Sequence, residues 1–316
     1  PCRALIALTR SAARRGYSVD SPTGIVYAFA VSGAVRDTAP CPAAREAPLL
    51  RMMSMNEARK IRSRKPVKEP PAFSVCPAGR RYPLPADRDY AREFQRLKRI
   101  VDVERRKGRE IVVVMGLGFV GAVMAGVIAD SADRKTGRPG KFVIGMQRPS
   151  TRSFWKIGYL NQGIPPVEAE DPEVAPLIAR CVRQKKTLMA TYTYDALALA
   201  DVVVVDVQCD YNKETLGDCR QGSADIAALE ESLRVIGEKI RPDCLVLIET
   251  TVPPGTTEYV AYPIVKKAFE ERGIEQEPLL AHSFERVMPG REYVRSIRDF
   301  WRVCSGINPE SKARVE

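Results

Sequence analysis

The fold is decided by Glu110-Ile-Val-Val-Val-Met-Gly-Leu-Gly-Phe-Val-Gly121, which leads directly into Ala122-Val-Met-Ala-Gly-Val-Ile-Ala129. An apolar run, a glycine-rich turn and an apolar helix follow one another here. We expect Gly116 to permit the turn, Gly118 to leave room for a pyrophosphate, and Gly121 to let the helix pack closely on the strand. The amide groups at the helix N-terminus would then bind the anion. Dinucleotide binding is therefore favoured, and a structural turn that binds nothing is the alternative.

The chain beyond Gly108 alternates short apolar runs with helical patterns. The predicted strands are residues 111–115, 141–145, 187–191, 202–207, 244–249 and 279–283, and the predicted helices are residues 121–133, 172–185, 224–240 and 257–272. Short apolar strands separated by helices are typical of right-handed βαβ units. The sequence therefore predicts an α/β fold with a doubly wound parallel sheet, Rossmann-like, as a dinucleotide-binding domain over residues 109–316.

The basic character of the chain lies in its first third. The net charge is +11, but residues 1–108 carry 23 Lys and Arg against 10 Asp and Glu, whereas residues 109–316 carry 27 against 29. Residues 1–86 mix Arg, Ala, Ser and Pro without periodicity, so we expect a largely disordered basic N-terminal extension. Because the predicted domain is close to neutral, the charge does not indicate nucleic-acid binding.

Residues 87–108 are predicted to form an amphipathic helix between the extension and the domain. Apolar side chains recur there at helical spacing until Gly108 ends the pattern. These side chains are Tyr90, Phe94, Leu97 and Val101. We expect the helix to pack on the surface of the domain.

Metal and membrane partners have no support in the sequence. The eight cysteines form no CxxC pair and His282 is the only histidine, so no metal site is predicted. No apolar run approaches the roughly 20 residues of a membrane span. Reduced thiols in a cytoplasmic protein are therefore the expectation.

A second motif, Leu247-Ile-Glu-Thr-Thr-Val-Pro-Pro-Gly-Thr-Thr-Glu258, places threonines at the carboxyl end of a predicted strand. A helix cap and a rigid turn would account for Thr256 or Thr257. They give Thr250 and Thr251 no reason to be hydroxylic, so we assign a function to Thr251.

Four stretches resemble, in order, the motifs of the nucleotide-sugar 6-dehydrogenases, which include UDP-glucose and UDP-N-acetylmannosamine dehydrogenases. The glycine turn resembles the family's GxGYVG, and Leu160-Asn-Gln-Gly-Ile-Pro-Pro-Val-Glu168 resembles its LNxGxxPixE. Thr250-Thr-Val-Pro-Pro-Gly255 resembles STVPxG, and Glu285-Arg-Val-Met-Pro-Gly290 resembles PERVxPG. The resemblance covers about residues 109–316.

This resemblance implies NAD-dependent oxidation of the C6 hydroxyl of a UDP-sugar to the uronic acid, through an aldehyde and a cysteine-linked thioester. By carry-over, Thr251 and Glu285 would be catalytic, and Glu285 and Arg286 would contact the substrate. A carboxylate and a hydroxyl suit activation and positioning of water. The alternative for Glu285 is a surface carboxylate paired with Arg286 or Arg291. The residues that would bind the cofactor are Gly116, Gly118, Phe119, Val120, Gly121, Gln147, Lys156, Gln208 and Thr251.

The family's catalytic cysteine lies in a GGxCxxKD motif within a UDP-binding domain that follows a long central helix. This sequence contains no such motif. We therefore expect a cofactor-binding half that is inactive alone, with the central helix and the C-terminal UDP-binding domain absent. A homodimer is expected only for a protein that has that helix. Cys304 lies near the end, but residues 302–307 are predicted to be a buried strand.

Three positions depart from the family's pattern. Gln147 stands where an acidic residue usually accepts the ribose hydroxyls. A neutral side chain next to Arg148 could tolerate a 2′-phosphate, so NADP tolerance is a hypothesis. Phe284 replaces the proline before Glu285, and Gln208 with its neighbouring cysteine replaces Thr-Pro.

Two other functions remain open. The chain could be a non-catalytic, dinucleotide-binding remnant. Alternatively, Tyr262-Pro-Ile-Val-Lys266 has the YxxxK spacing of short-chain reductases, although these residues are explained more simply as part of a helix after Gly255.

Overall fold

A computed structural model of the chain describes residues 72–213, 222–287 and 290–316. Residues 1–71, most of the predicted extension, lie outside this description. Residues 72–86 also belong to the predicted extension, but they contain two short antiparallel strands, Phe73–Val75 (β1) and Arg81–Pro83 (β2). The ring of Tyr82 packs edge-on against Tyr159, 6.4 Å between centroids, so this part of the predicted extension is folded.

The main sheet contains seven of the remaining strands in the described part of the chain. These strands are Glu110–Met115 (β3), Lys141–Met146 (β4), Leu188–Thr191 (β5), Val202–Val205 (β6), Leu245–Ile248 (β9), Leu279–His282 (β10) and Ser305–Gly306 (β11). Asp210–Asn212 (β7) and Ser223–Asp225 (β8) form a separate antiparallel pair. The six predicted strands therefore exist, to within two residues at each end.

The strand order β11-β10-β9-β6-β3-β4-β5 confirms a doubly wound sheet. All neighbours are parallel except β10 and β11. The chain moves outward from β3 in one direction through β4 and β5, and in the other through β6, β9 and β10. The carboxyl ends of β3 and β6 consequently flank the switch point, which is where open α/β sheets bind their ligands.

Eight α-helices are described. They are Asp87–Arg106 (α1), Phe119–Asp130 (α2), Trp155–Asn161 (α3), Val174–Ala179 (α4), Ala227–Lys239 (α5), Tyr262–Glu271 (α6), Tyr293–Asp299 (α7) and Pro309–Val315 (α8). A π-helix, Arg180–Lys185, continues α4, and another, Thr257–Ala261, precedes α6, so neither predicted helix is a regular α-helix throughout. Tyr194–Leu199 is a 3₁₀ helix. Two apolar cores, one on each face of the sheet, hold these helices.

The predicted buried strand at residues 302–307 is wrong. Only Ser305 and Gly306 pair with β10, and the side chains before them are exposed, with Val303 at 63%. Cys304 is also exposed. β11 lies at the edge of the sheet, and only two of its residues pair with β10. The segment before these two residues therefore has no neighbouring strand and stays exposed to solvent.

Candidate functional site

The three glycines of the turn have different surroundings. Gly116 has a φ of +108°, and a Cβ there would overlap the carbonyl oxygen of Asp206 in the neighbouring segment. A Cβ on Gly121 would overlap the carbonyl oxygen of Gly116. A Cβ on Gly118 would meet nothing within 4 Å. The first and third glycines thus permit close packing of backbone, and the second faces open space beside the first turn of α2, whose leading N–H groups lack helical acceptors.

The open space is a crevice of about 360 Å³ at the carboxyl ends of β3, β4 and β6. We call it the crevice below. Five of the residues predicted to bind the cofactor line it: Gly116, Gly118, Gln147, Lys156 and Gln208. The crevice is also lined by Arg148, Tyr194, Asp206, Glu231, Ser232 and neighbouring apolar side chains. The crevice combines the switch point, the glycine turn and convergent polar groups, which are the usual features of a dinucleotide site.

Gln147 is held inside the crevice by the turn itself. Its Oε1 accepts the N–H of Leu117 at 3.1 Å, and its Nε2 donates to Ser153 Oγ at 3.3 Å. The side chain therefore brings no negative charge to the end of β4. The charged groups at this end of the crevice are Arg148 and Glu231, which are 3.6 Å apart and both 64% exposed.

Lys156 also lines the crevice and contacts the glycine turn. Its ammonium donates to the carbonyl oxygen of Leu117 at 3.0 Å, and burial lowers the pKa of its side chain. The contact fixes a positive charge next to the glycine turn. A cation at this place favours binding of an anion such as a pyrophosphate.

Thr250 has a structural role, which corrects the expectation that neither threonine has one. The N–H of Val207 donates to Thr250 Oγ1 at 3.0 Å, and that hydroxyl donates to the carbonyl oxygen of Val207 at 2.7 Å. The hydroxyl thus fastens the segment after β6 to the end of β9. Thr251 is exposed. The side chain of Thr256 makes no capping hydrogen bond, contrary to the expected helix cap, and its hydroxyl instead donates to Pro253 O at 2.7 Å.

Replacement of Thr250 by valine is expected to lower the free energy of unfolding by about 1–2 kcal/mol, because the N–H and carbonyl of Val207 lose their partner. Denaturant unfolding measures this loss. The matched variant Thr251→Val, at an exposed position, is expected to change the free energy of unfolding by less than about 0.5 kcal/mol. Equal losses in the two variants would contradict the assignment.

Glu285 belongs to an ion-pair cluster and is not a surface carboxylate. Its side chain is 10% exposed and its Oε1 lies 3.8 Å from Arg302 Nη2. Arg302 also donates twice to Glu249, at 2.8 and 2.6 Å. Burial raises the pKa of both Glu249 and Glu285. The alternative of a surface carboxylate paired with Arg286 or Arg291 is wrong, because Glu285 is largely buried and, within the described residues, its ion pair is with Arg302. The guanidinium of Arg286 donates to the carbonyl oxygen of Trp301.

Phe119 makes its contacts outside the crevice lining. Its ring stacks on Tyr293, with 4.6 Å between centroids and 5° between planes, and its carbonyl accepts the Tyr293 hydroxyl. Val120 and Gly121 also lie in the first turn of α2 and do not line the crevice.

A larger cavity of about 440 Å³ lies elsewhere, between α2 and α7. It is lined mainly by aliphatic side chains and includes none of the residues predicted for the site. We place the functional site in the smaller crevice, because polar groups and the helix N-terminus converge there.

Sequence reasoning missed Asp206, Glu249, Arg302 and Tyr293. A signal existed for the first two, since each is a carboxylate that directly follows a buried apolar strand. Register brings them together, because Val205 and Ile248 are partners in β6 and β9. Arg302 and Tyr293 carry no comparable pattern.

The fold and the crevice together define a dinucleotide-binding Rossmann domain. Residues 110–315 match the sequence profile described as the UDP-glucose/GDP-mannose dehydrogenase family, NAD binding domain. The chain belongs to this family and carries its NAD-binding domain.

Individual relatives agree with this assignment. The chain is 28% identical over 205 residues to a UDP-N-acetyl-D-mannosamine dehydrogenase of Pyrococcus horikoshii, covering 65% of this chain and 43% of the relative. It is 30% identical over 176 residues to a GDP-mannose 6-dehydrogenase of Pseudomonas aeruginosa, covering 53% and 35%. The crystal structure of an NDP-N-acetyl-D-galactosaminuronic acid dehydrogenase from Methanosarcina mazei superposes with a TM-score of 0.57 at 30% identity, covering 69% of this chain and 43% of that one. The chain therefore spans less than half of the length of these relatives.

Two further findings concern the described residues alone. No helix among them is both long and apolar enough to cross a membrane. They also contain no group of His, Cys, Asp and Glu side chains suited to holding a metal ion.

Proposed function

We propose that this chain is the cofactor-binding part of a dehydrogenase that oxidises the C6 hydroxyl of a UDP-sugar to the uronic acid with NAD⁺. The observation that carries the proposal is the crevice at the switch point, lined by five of the predicted cofactor residues. The names of the relatives, which act on nucleotide sugars, supply the substrate class. The chain spans 43% of the length of the first of these relatives, so the activity of the complete enzyme is proposed here and not observed.

The crevice suits a dinucleotide in shape and charge. The open space over Gly118 admits a pyrophosphate against the first turn of α2, and Lys156 supplies a positive charge beside the turn. Arg148 and Tyr194 line the end that would receive the adenosine. NAD⁺ bound there would supply the hydride acceptor.

Glu285 and Thr251 are the proposed catalytic residues. Glu285 Oε2 accepts the N–H of Val287 at 2.5 Å, which fixes the direction of the carboxylate. A pKa raised by burial suits a base that takes a proton from water near neutral pH. Exposed Thr251 follows β9 and is available to orient that water, and exposed Arg286 is proposed to contact the substrate.

The nucleophilic cysteine is proposed to come from sequence outside this chain. Burial raises the pKa of Cys181 and of Cys244 to about 12, so neither is a thiolate at neutral pH. Burial also raises the pKa of Cys209, next to Gln208. We expect the chain alone not to oxidise UDP-sugars, because its sequence contains no GGxCxxKD motif.

The direct test is a chimera in which residues 87–316 replace the corresponding part of the Pyrococcus dehydrogenase. We expect the chimera to form NADH from a UDP-sugar, because the relative supplies the remainder of the enzyme. Glu285→Gln and Thr251→Val are expected to reduce turnover about 100-fold or more and about tenfold, respectively. A folded chimera that binds NAD⁺ without turnover would favour the non-catalytic remnant.

Tyr262→Phe is the control for the short-chain reductase alternative. Tyr262 and Lys266 both contact Glu277, at 2.5 and 2.8 Å, and neither lines the crevice. The hydrogen bond to Glu277 raises the pKa of Tyr262, which is opposite to the lowered pKa that an acid catalyst of that class needs. We expect Tyr262→Phe to leave turnover unchanged, and a large loss would revive the alternative.

We propose that the site tolerates NADP⁺ because of the residues that follow β4. Gln147 is neutral and bound to Leu117, and the neighbouring Arg148, which also lines the crevice, supplies a cation for a 2′-phosphate. We expect dissociation constants for NAD⁺ and NADP⁺ within about tenfold of each other in calorimetric titrations. Gln147→Asp is expected to weaken NADP⁺ binding at least tenfold more than NAD⁺ binding. A strong NAD⁺ preference in the unchanged chain would refute the hypothesis.

We propose a cytoplasmic location and, for a longer protein, assembly into a homodimer. The five cysteines described are all free thiols, which agrees with a cytoplasmic location. A homodimer is proposed only for a protein that also has the family's central helix.

A further inference from the structure

Asp206 occupies a position between the glycine turn and the helix that follows it. It comes directly after β6, and its N–H donates to the carbonyl oxygen of Met115 at 2.9 Å. Its Oδ2 lies 2.7 Å from the point where a Cβ on Gly121 would stand. The carboxyl group therefore lies against the first turn of α2, and it lines the crevice.

The ionisable groups that face Asp206 are mainly acidic. Glu249 at the end of β9 and Glu285 after β10 both act on it electrostatically, and Tyr293 on α7 is close enough to sense its charge. The guanidinium of Arg302 is bound to Glu249 and lies 3.8 Å from Glu285.

The other charged groups of the crevice are engaged away from Asp206. The ammonium of Lys156 donates to Leu117 O, and Arg148 faces Glu231. No ion pair to Asp206 occurs within residues 72–213, 222–287 and 290–316. Burial, followed by Glu249 and Glu285, raises the pKa of Asp206 to about 7.

We propose that Asp206 couples dinucleotide binding to proton uptake, so that the crevice binds the pyrophosphate with the Asp206 carboxyl group protonated. The inference rests on the proposed cofactor site. An ionised carboxylate would repel the pyrophosphate and would itself be attracted to the positive end of α2. The ionised site therefore takes up one proton as the cofactor binds, and affinity falls as the pH rises past the pKa of this group.

The test is calorimetric titration of the full chain with NAD⁺ at pH 6, 7 and 8, in two buffers that differ in ionisation enthalpy. If binding requires the protonated form, the dissociation constant rises about tenfold between pH 6 and pH 8. Proton uptake, obtained from the difference between buffers, should be about one half per cofactor at pH 7 and close to one at pH 8. Equal affinity at pH 6 and pH 8 would overturn the inference.

Variants identify the responsible group. Asp206→Asn should bind NAD⁺ with little dependence on pH and without proton uptake. Glu231→Gln, a matched change at an exposed carboxylate of the same crevice, should keep the dependence of the unchanged chain. If Asp206→Asn retains the full dependence, titration of Glu285 or Lys156 is the cause and the proposal is wrong.

Fragments of the cofactor provide a test that needs no variant. ADP-ribose carries the same doubly esterified pyrophosphate, which does not titrate between pH 6 and pH 8, and should show the same pH dependence as NAD⁺, whereas adenosine should not. Equal pH dependence of ADP-ribose and adenosine binding would overturn the inference even if Asp206→Asn does not fold. Absence of NAD⁺ binding at pH 6 by the folded chain would instead remove the cofactor site on which this inference rests.

Discussion

Replacement of Gly116 by alanine is expected to lower the free energy of unfolding by about 3 kcal/mol and to abolish NAD⁺ binding. The φ of Gly116 is +108°, where an L-residue is strained, and the added Cβ would overlap the carbonyl oxygen of Asp206. That carbonyl belongs to the backbone of the neighbouring segment, so relief requires the turn to move away from β6. Denaturant unfolding and calorimetric titration measure the two effects.

Gly118→Ala is the matched control for this variant. Gly118 has a φ of −76°, and a Cβ there meets open space, so the fold should tolerate alanine within about 1 kcal/mol. The new methyl group would stand where we place the pyrophosphate, so NAD⁺ affinity should still fall at least tenfold. A Gly116→Ala variant as stable as Gly118→Ala would show that the positive φ and the nearby carbonyl oxygen of Asp206 do not require glycine at position 116.

Replacement of Arg302 by methionine is expected to lower the free energy of unfolding by about 3–5 kcal/mol at neutral pH. Glu249 has a 5% exposed side chain and would lose the guanidinium whose Nη1 donates to both of its carboxylate oxygens. Because burial already raises the pKa of Glu249, removal of the guanidinium should raise it further. The folded-state pKa then lies above the unfolded one, so the loss should be smallest at acidic pH and largest above the folded-state pKa.

Two further variants separate this ion pair from general damage to the segment. Glu249→Gln combined with Arg302→Met removes the uncompensated charge and should recover most of the loss. Arg298→Met changes a half-exposed guanidinium that pairs with Asp299 and Glu173, and should cost less than about 1 kcal/mol. The account of the pair fails if the double variant is no more stable than Arg302→Met.

Sequence reasoning located β3, the glycine turn and α2 because their constraints are local. The residues of this turn are consecutive, so the spacing of the three glycines is visible in the sequence, although the overlap with Asp206 that Gly116 avoids is not. The sheet followed for the same reason, since each strand and helix shows its own periodicity. Helices α3, α7 and α8 were missed because each has seven residues, about two turns, which is too short for a period to show.

The contacts among the ionisable side chains at this edge of the sheet could not be read from local patterns. Sheet register brings Asp206 and Glu249 to neighbouring strand ends, and Arg302, 53 residues beyond Glu249, pairs with it. The sequence showed that Gln147 lacks a charge, but not that its side chain accepts the N–H of Leu117. Likewise, Thr250 gained a structural explanation only when its partner, Val207, was known.

The central claim is that the crevice binds NAD⁺, and calorimetric titration of the full chain with NAD⁺ at pH 6 tests it most directly. We predict a dissociation constant between micromolar and sub-millimolar values, with Gly118→Ala binding at least tenfold more weakly at unchanged stability. A chain shown by circular dichroism to be folded that binds no NAD⁺, or that binds it equally well with alanine at position 118, would contradict the claim.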